Sequence, residues 1–493
     1  MMILDAFNAL MDPAALFAVV IGTVAGVVVG GMPGLTATMA VALLIPVTFT
    51  LEPLVGLVLM GGVYCGAMYG GSIPAILLRT PGTPAAVATA MEGYPLTQQG
   101  RAGLALKVSV ISSFWGGTFS TFILLIMAPV LAIFALSFGP PEYFLLALLG
   151  LAGIVSMADE ESGLIKSIIS GLLGLIIAVV GTDPISGMLR YTGGLTDLFE
   201  GVAFMPALIG MFSIAQMLAL TGKKSVVEGT ADVGAIKNEP MPKGLWKYIG
   251  LGSVTGTIVG ILPGEGATIA AFLSYNVAKR RSKNEHLFGK GNPEGIAAAE
   301  AGNNGCVGGS LVPTLTLGIP GNSVAAALLG GLLVHGLIPG PELFTKHGTM
   351  TYAFILSLFL ANIVFLILGL YMAPRFAKIS RTPVELLIPT VCLFSVLGSY
   401  AIHNSVLDIY LCLLFGVGAI ILKKTGFSLG ALILGLILGP IAETGFAQGL
   451  IMGRGSFSIF FASPQAIVLW ILTLLLLVPP LINIVKKHRA ETA

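Results

Sequence analysis

The sequence predicts an all-α polytopic membrane protein: an inverted-topology repeat with re-entrant or broken helical hairpins and roughly 10–12 spanning segments. Three observations carry this. Of 493 residues, 56% are hydrophobic and 10% charged, with a mean hydropathy of +0.96; a soluble domain carries roughly a quarter charged residues. Apolar runs at 16–31, 121–138, 143–157, 164–180, 354–372 and 466–485 approach the roughly 20 residues that cross a bilayer core. Finally, Gly30-Gly-Met-Pro-Gly-Leu-Thr-Ala-Thr38 returns half a chain later as Gly260-Ile-Leu-Pro-Gly-Glu-Gly-Ala-Thr268.

Charge sets the expected topology. Basic residues cluster at Arg101/Lys107, Lys166, Lys223 to Lys247, Lys279 to Lys290, Arg375 to Arg381, Lys423/Lys424 and Lys486 to Arg489. The positive-inside rule places these in the cytoplasm, the C-terminus included. The segments 139–142, 182–197, 339–349, 401–405 and 443–464 then fall outside, with only Arg190, Lys346 and Arg454 against the rule. No basic residue precedes Arg79, so no cleavable signal peptide is expected and the first apolar segment is retained.

The two Pro-Gly breaks carry opposite flanks. The first lies among Asp5, Asp12 and Glu52, the second between Lys247 and Lys279-Arg280-Arg281. Each is expected to be a hairpin that enters and leaves on one side, one from outside and one from the cytoplasm. Gly70-Gly-Ser72 recurs as Gly308-Gly-Ser310 (308 − 70 = 238) and Pro81-Gly82 as Pro320-Gly321 (320 − 81 = 239), implying one inserted residue. The chain divides accordingly into a first repeat (1–221), a cytoplasmic linker (222–247), a second repeat (248–443), and an extra C-terminal helix with a cytoplasmic tail (444–493).

Breaks at membrane depth must face protein, water or ligand, because lipid satisfies no backbone group. Proline stops the incoming helix, glycine takes the turn, and the next half-helix points free amides into the gap. Such an N-terminus attracts anions, carboxylates included. The expected substrate residues are therefore Pro33, Gly34, Thr36, Thr38, Ser72, Gly82, Thr83, Pro263, Gly264, Thr268, Asn303, Asn304, Ser310, Asn322 and Ser323. Thr80, Pro81, Glu265, Glu300, Thr316, Pro320 and Gly321 are the candidates for a coupling cation, since unwound carbonyls, hydroxyls and costly buried carboxylates suit sodium or a proton. The stretches 72–84 and 310–323 are too interrupted by proline and glycine to be continuous helices. Glu265 equally fits a helix cap. Arg79 is expected to face a carboxylate, snorkel, or pair with Glu92. Most other glycines, including Gly26/Gly30 and Gly435/Gly439, fit small-xxx-small packing.

Other chemistries lack their residues. Gly222-Lys-Lys-Ser225 has Met217 where a phosphate-binding loop needs glycine. The five histidines and four cysteines are scattered singly, which argues against a metal or disulfide. Asp159-Glu160-Glu161 sits in a loop beside Lys166. No catalytic residue, no enzyme activity, no cofactor and no metal beyond sodium is expected. A gated carboxylate or anion channel is the alternative to an ion-coupled carrier, and a non-transporting scaffold is a third.

One family resembles the chain along nearly its whole length: the large membrane subunit of tripartite tricarboxylate transporters, the TctA family. The similar stretches are Gly31-Met-Pro-Gly-Leu-Thr-Ala-Thr38, Tyr64-Cys-Gly-Ala-Met-Tyr-Gly-Gly-Ser-Ile-Pro74, Arg79-Thr-Pro-Gly-Thr-Pro84, Leu262-Pro-Gly-Glu-Gly-Ala-Thr268, Pro293-Glu-Gly-Ile-Ala-Ala-Ala-Glu-Ala-Gly-Asn-Asn304 and Gly318-Ile-Pro-Gly-Asn-Ser323. The resemblance implies a bacterial inner-membrane importer of di- or tricarboxylates driven by an ion gradient, in the first instance sodium. It also implies two partners, a small four-span membrane subunit and a periplasmic substrate-binding protein, and no nucleic acid.

Overall fold

The computed structural model describes the whole chain except Met1, Pro33, 156–162, 222–238, Glu265, 380–383 and Ala493. The only strands among the described residues are a two-residue pair, β1 (Gly181–Thr182) with β2 (Leu189–Arg190). Seven helices among the described residues are long and apolar enough to cross a membrane, and six shorter ones are apolar.

The first half runs α1 (Met2–Leu10), α2 (Pro13–Gly30), α3 (Ala37–Thr48), α4 (Pro53–Gly70), α5 (Ser72–Leu78), α6 (Ala86–Gln98), α7 (Ala102–Ala135), α8 (Pro140–Ala152), α9 (Gly163–Ala178), α10 (Phe204–Ile209) and α11 (Ala215–Leu220). A single π turn, Gly210–Ile214, joins the last two. The second half runs α12 (Leu245–Ile261), α13 (Ala267–Arg281), α14 (Pro293–Leu317), α15 (Ser323–Val334), α16 (Pro341–Thr345), α17 (Gly348–Ile379), α18 (Val384–His403), α19 (Val406–Lys424), α20 (Leu429–Met452) and α21 (Pro464–Thr492).

Small residues set the packing. Gly22, Gly26 and Gly30 of α2 lie against the backbone of Leu59, Val63 and Ala67 of α4, so the two helices run parallel in direct contact. The 12-residue α3 between them must return to the side where α2 began. It rises only about 18 Å against a hydrocarbon core of about 30 Å. The α2–α3 unit is thus a hairpin whose tip lies at membrane depth. Gly252, Gly256 and Gly260 of α12 meet Ala298, Gly302 and Cys306 of α14 in the same way. The register is constant: α2 maps onto α12 at an offset of 230 (Gly22 to Gly252), and α4 onto α14 at 239 (Leu59 to Ala298). Gly70 therefore matches Gly309 rather than Gly308, and the inserted residue expected from the sequence is absent.

The matched helices α4 and α14 run antiparallel. Tyr64 of α4 meets Ser310, whereas Met68, one turn further on, meets Asn303. Each repeat also sends its long helix across to the other: α7 packs along α12 and α14, and α17 along α2 and α4. A second group surrounds this core. There α8 and α9 pack on α20, α21 on α8, and α18 and α19 on the α10–α11 segment. Gly171 and Gly435 make a close backbone approach there, as do Gly210 and Cys412, so these glycines serve packing. All four cysteines are free.

The stretches 72–84 and 310–323 are not continuous helices, but each begins as one and the break falls later than the first proline. Helix continues across Pro74 to Leu78 and across Pro313 to Leu317, and the chain unwinds only afterwards. Proline normally breaks a helix by removing one amide and crowding the carbonyl four residues back. Here that residue is Gly70 or Gly309. Hydroxyls of Ser72, Thr314 and Thr316 bond the carbonyls of Tyr69, Ser310 and Val312 nearby, at 2.8, 2.5 and 2.6 Å, keeping the local backbone satisfied.

Outside the spanning helices, Arg190 joins the β1–β2 hairpin to α20 by bonding Glu443 through both guanidinium nitrogens and Asp183 at 3.2 Å. The amides of Ser186 and then Ile185, with Arg190 adding less, hold the Asp183 carboxyl below the usual carboxylate range.

Candidate functional site

Each hairpin tip turns on a glycine in the left-handed region, Gly34 (φ 91°) and Gly264 (φ 83°), which match at the 230 offset. Such backbone angles strain any residue with a side chain. Thr36 starts α3 by accepting the Met39 amide at 3.1 Å. Gly266, starting α13, has no side chain to cap the helix, and no side-chain cap is present among the described residues. Thr38 is buried and Thr268 half-buried on these first turns. Pro33 and Glu265, both expected at the site, lie outside the described residues.

The unwound linkers after α5 and α14 fold onto the tip of their own repeat. Gly82 sits against the Gly30 carbonyl and Gly71, and Gly321 against the Gly260 carbonyl and Ser310. These four contacts again match at 230 and 239. The Gly82 amide donates to the Gly71 carbonyl at 3.1 Å, and the Gly264 amide to the Gly321 carbonyl at 3.1 Å. Both linkers begin with a left-handed residue, Arg79 (φ 57°) and Gly318 (φ 71°). An arginine held where the other repeat uses glycine is backbone strain of the kind that gathers at working sites.

The repeats are cross-linked at equivalent positions, Tyr64 and Asn303 (303 − 64 = 239). The Tyr64 hydroxyl bonds Ser310 Oγ at 2.9 Å and accepts from Asn322 Nδ2 at 2.8 Å. Asn303 Nδ2 donates to the Met68 carbonyl at 2.9 Å. Tyr64 was not anticipated from the sequence, although its register with Asn303 would have pointed to it.

The expected polar residues divide into two groups. Asn322 Oδ1 caps α15 through the amides of Val324 and Ala325, Ser72 Oγ is bonded to Ser109 Oγ at 2.8 Å, and Thr316 bonds its own helix. These side chains, like Thr36, are engaged in capping or joining helices. By contrast, Thr80 Oγ1, Thr83 Oγ1, Asn303 Oδ1 and Asn304 Oδ1 are buried without a hydrogen-bond partner among the described residues. Pro81 and Ser323 are half-buried, and Pro263 and Pro320 are buried.

Glu300 is fully buried on α14, where Thr89 Oγ1 of α6 and Ser113 Oγ of α7 donate to its two carboxylate oxygens. Arg79 does not pair with Glu92. Its guanidinium carbon lies 5.9 Å from the Tyr94 ring centroid, and a cleft of about 360 Å³ opens beside it, lined by Pro81, Met91, Tyr94, Gln98 and Gly289. Glu92 instead accepts the Tyr275 hydroxyl at 2.7 Å and the amides of Gly289, Gly291 and Asn292 at 2.5, 2.8 and 2.8 Å. It ties α6 to the loop between α13 and α14.

A multi-pass helical membrane protein with two matched, broken segments in antiparallel halves has the build of a secondary transporter. The chain belongs to the tripartite tricarboxylate transporter TctA family, whose profile matches residues 16–434. It is a tricarboxylate-type transporter membrane subunit that operates in a tripartite system with other subunits. It is 34% identical over 464 residues to a protein of Agrobacterium vitis described as an uncharacterized 52.8 kDa protein in the TAR-I ttuC' 3'region, spanning 93% of this chain and 92% of that one. A second Agrobacterium vitis protein, described as uncharacterized in the TAR-II ttuC' 3'region, is 33% identical over 236 residues, 48% of this chain and 98% of its own length. No solved structure matches the chain.

Proposed function

We propose that this subunit is a sodium-coupled importer of small di- or tricarboxylates in the inner membrane of a bacterium. It receives substrate from a periplasmic binding protein and works beside a small four-span membrane subunit. The carboxylate sits between the two hairpin tips and their linkers, held by the uncapped α13 amides and the hydroxyls of Thr80, Thr83 and Thr268. Basic segments and the tail after α21 face the cytoplasm, and 1–221, 222–247, 248–443 and 444–493 are first repeat, linker, second repeat and appended helix. The hairpins and their partner helices α4–α7 and α14–α17 move as one body against α8–α11 and α18–α21, an elevator motion.

The observation that carries this reading is the matched seating of Gly82 and Gly321 on the two hairpin tips. The first repeat's linker also carries two buried hydroxyls, those of Thr80 and Thr83, without a partner among the described residues; packing alone does not favour this, because a buried group left unbonded costs about 1–3 kcal/mol. They suit a solute that is bound and then released. The test is uptake of labelled dicarboxylates and tricarboxylates into proteoliposomes holding all three components. Uphill accumulation under an inward sodium gradient is expected. Flux that only equilibrates substrate would instead establish a channel.

A further inference from the structure

We propose that Glu300 anchors a binding site for a monovalent metal cation, sodium foremost, completed by Thr89, Ser113 and the free side-chain oxygens one turn along α14. The inference rests on the cation-coupled reading above and supplies its site.

Three observations converge. Glu300 is 0% exposed, and no salt bridge reaches it among the described residues. A buried carboxylate with no opposite charge is strongly disfavoured, and at membrane depth such a group marks an ion path. Second, it is surrounded by oxygen. Thr89 and Ser113 bring hydroxyls from two different helices, the latter at 2.8 Å. Asn303 and Asn304 lie three and four residues on, hence on the same face of α14. Third, two acceptor-only oxygens on this stretch of α14, Asn303 Oδ1 and Asn304 Oδ1, are buried without a partner among the described residues.

One bound cation corrects both imbalances. A single carboxylate balances a single charge, and neutral oxygens complete the shell, whereas calcium is held by several carboxylates. A proton on Glu300 would cancel the charge but supply only one donor for the two unpartnered amide oxygens. The ligands come from α6 and α7 of one repeat and α14 of the other. Cation binding would therefore draw the repeats together, a direct route from ion occupancy to the shape of the substrate gap.

The test is thermal unfolding of the full-length purified chain, without substrate, in sodium against choline at fixed ionic strength. Sodium is expected to raise Tm of the unmodified protein in a saturable way, as binding to the native state must. Glu300→Gln should remain monodisperse and lose the rise, and Thr89→Val should fold normally and need roughly ten times more sodium, one lost ligand costing about 1.4 kcal/mol. Equal sodium stabilisation in Glu300→Gln would overturn the proposal, as would stabilisation of the unmodified protein by acid but not by sodium. If Glu300→Gln does not fold, Thr89→Val alone decides: an unchanged sodium midpoint overturns it. Because no substrate is present, sodium binding here with no sodium-driven uptake would count against the importer and leave the site standing.

Discussion

Replacing Gly82 or Gly321 with valine is expected to abolish carboxylate uptake while the chain stays in the membrane. A Cβ at Gly321 would lie 2.6 Å from the Gly260 carbonyl oxygen and 2.7 Å from the Ser310 Cα; at Gly82 it would collide with the Gly30 carbonyl. The obstructing atoms are backbone, which cannot rotate aside as a side-chain end can. Overpacking costs about 1–3 kcal/mol or more where the surroundings cannot yield, enough to lift the linker from the hairpin tip without unfolding a large helical core. Uptake in proteoliposomes and Tm together check this. Gly250→Val in exposed α12, where a Cβ meets nothing within 4 Å, is the control and should transport normally. Because the two contacts are equivalent, the two valine variants should fail alike; full activity in either would show that its linker is not part of the substrate gap.

Glu92→Ala is expected to be the most destabilising change outside the breaks. It strands three backbone amides and the Tyr275 hydroxyl; the two buried donors, the Asn292 amide and the Tyr275 hydroxyl, cost about 1–3 kcal/mol each. The loop from Arg281 to Lys290 should detach from α6, so trypsin should cut there much faster than in the unmodified chain. Glu92→Gln, which keeps one accepting oxygen, should lie between the two. An unchanged cleavage rate in Glu92→Ala would refute the anchoring role.

The sequence disclosed the architecture well because glycine and proline mark both kinds of feature that matter here. Spaced glycines such as Gly26/Gly30 and Gly435/Gly439 signal close helix packing, and Pro-Gly at both tips signals the turns. It was less clear where helix stops. Pro74 and Pro313 look like breaks in one dimension, yet in the fold a glycine four residues back and nearby hydroxyls let the helix run on to Leu78 and Leu317. The polar residues near the breaks stand out in the sequence but are not sorted by it. Whether an Asn or Thr caps a helix, as Asn322 and Thr36 do, or stands free, as Asn304 Oδ1 does, depends on neighbours distant in the chain. Tyr64 escaped notice for the same reason, since its partners Ser310 and Asn322 lie in the other repeat. Arg79 and Glu92 are close in sequence and opposite in charge. Their separation follows from the three amides that already satisfy the carboxylate.

The inversion of the two repeats is tested most directly by sided labelling of the hairpin bases. Single cysteines at Glu52 and Lys283, both exposed, in a chain lacking Cys65, Cys306, Cys392 and Cys412, are probed with a membrane-impermeant thiol reagent in vesicles of known orientation. Glu52→Cys should react only from the outer face and Lys283→Cys only from the cytoplasmic face. Reaction of both from one face would contradict the account.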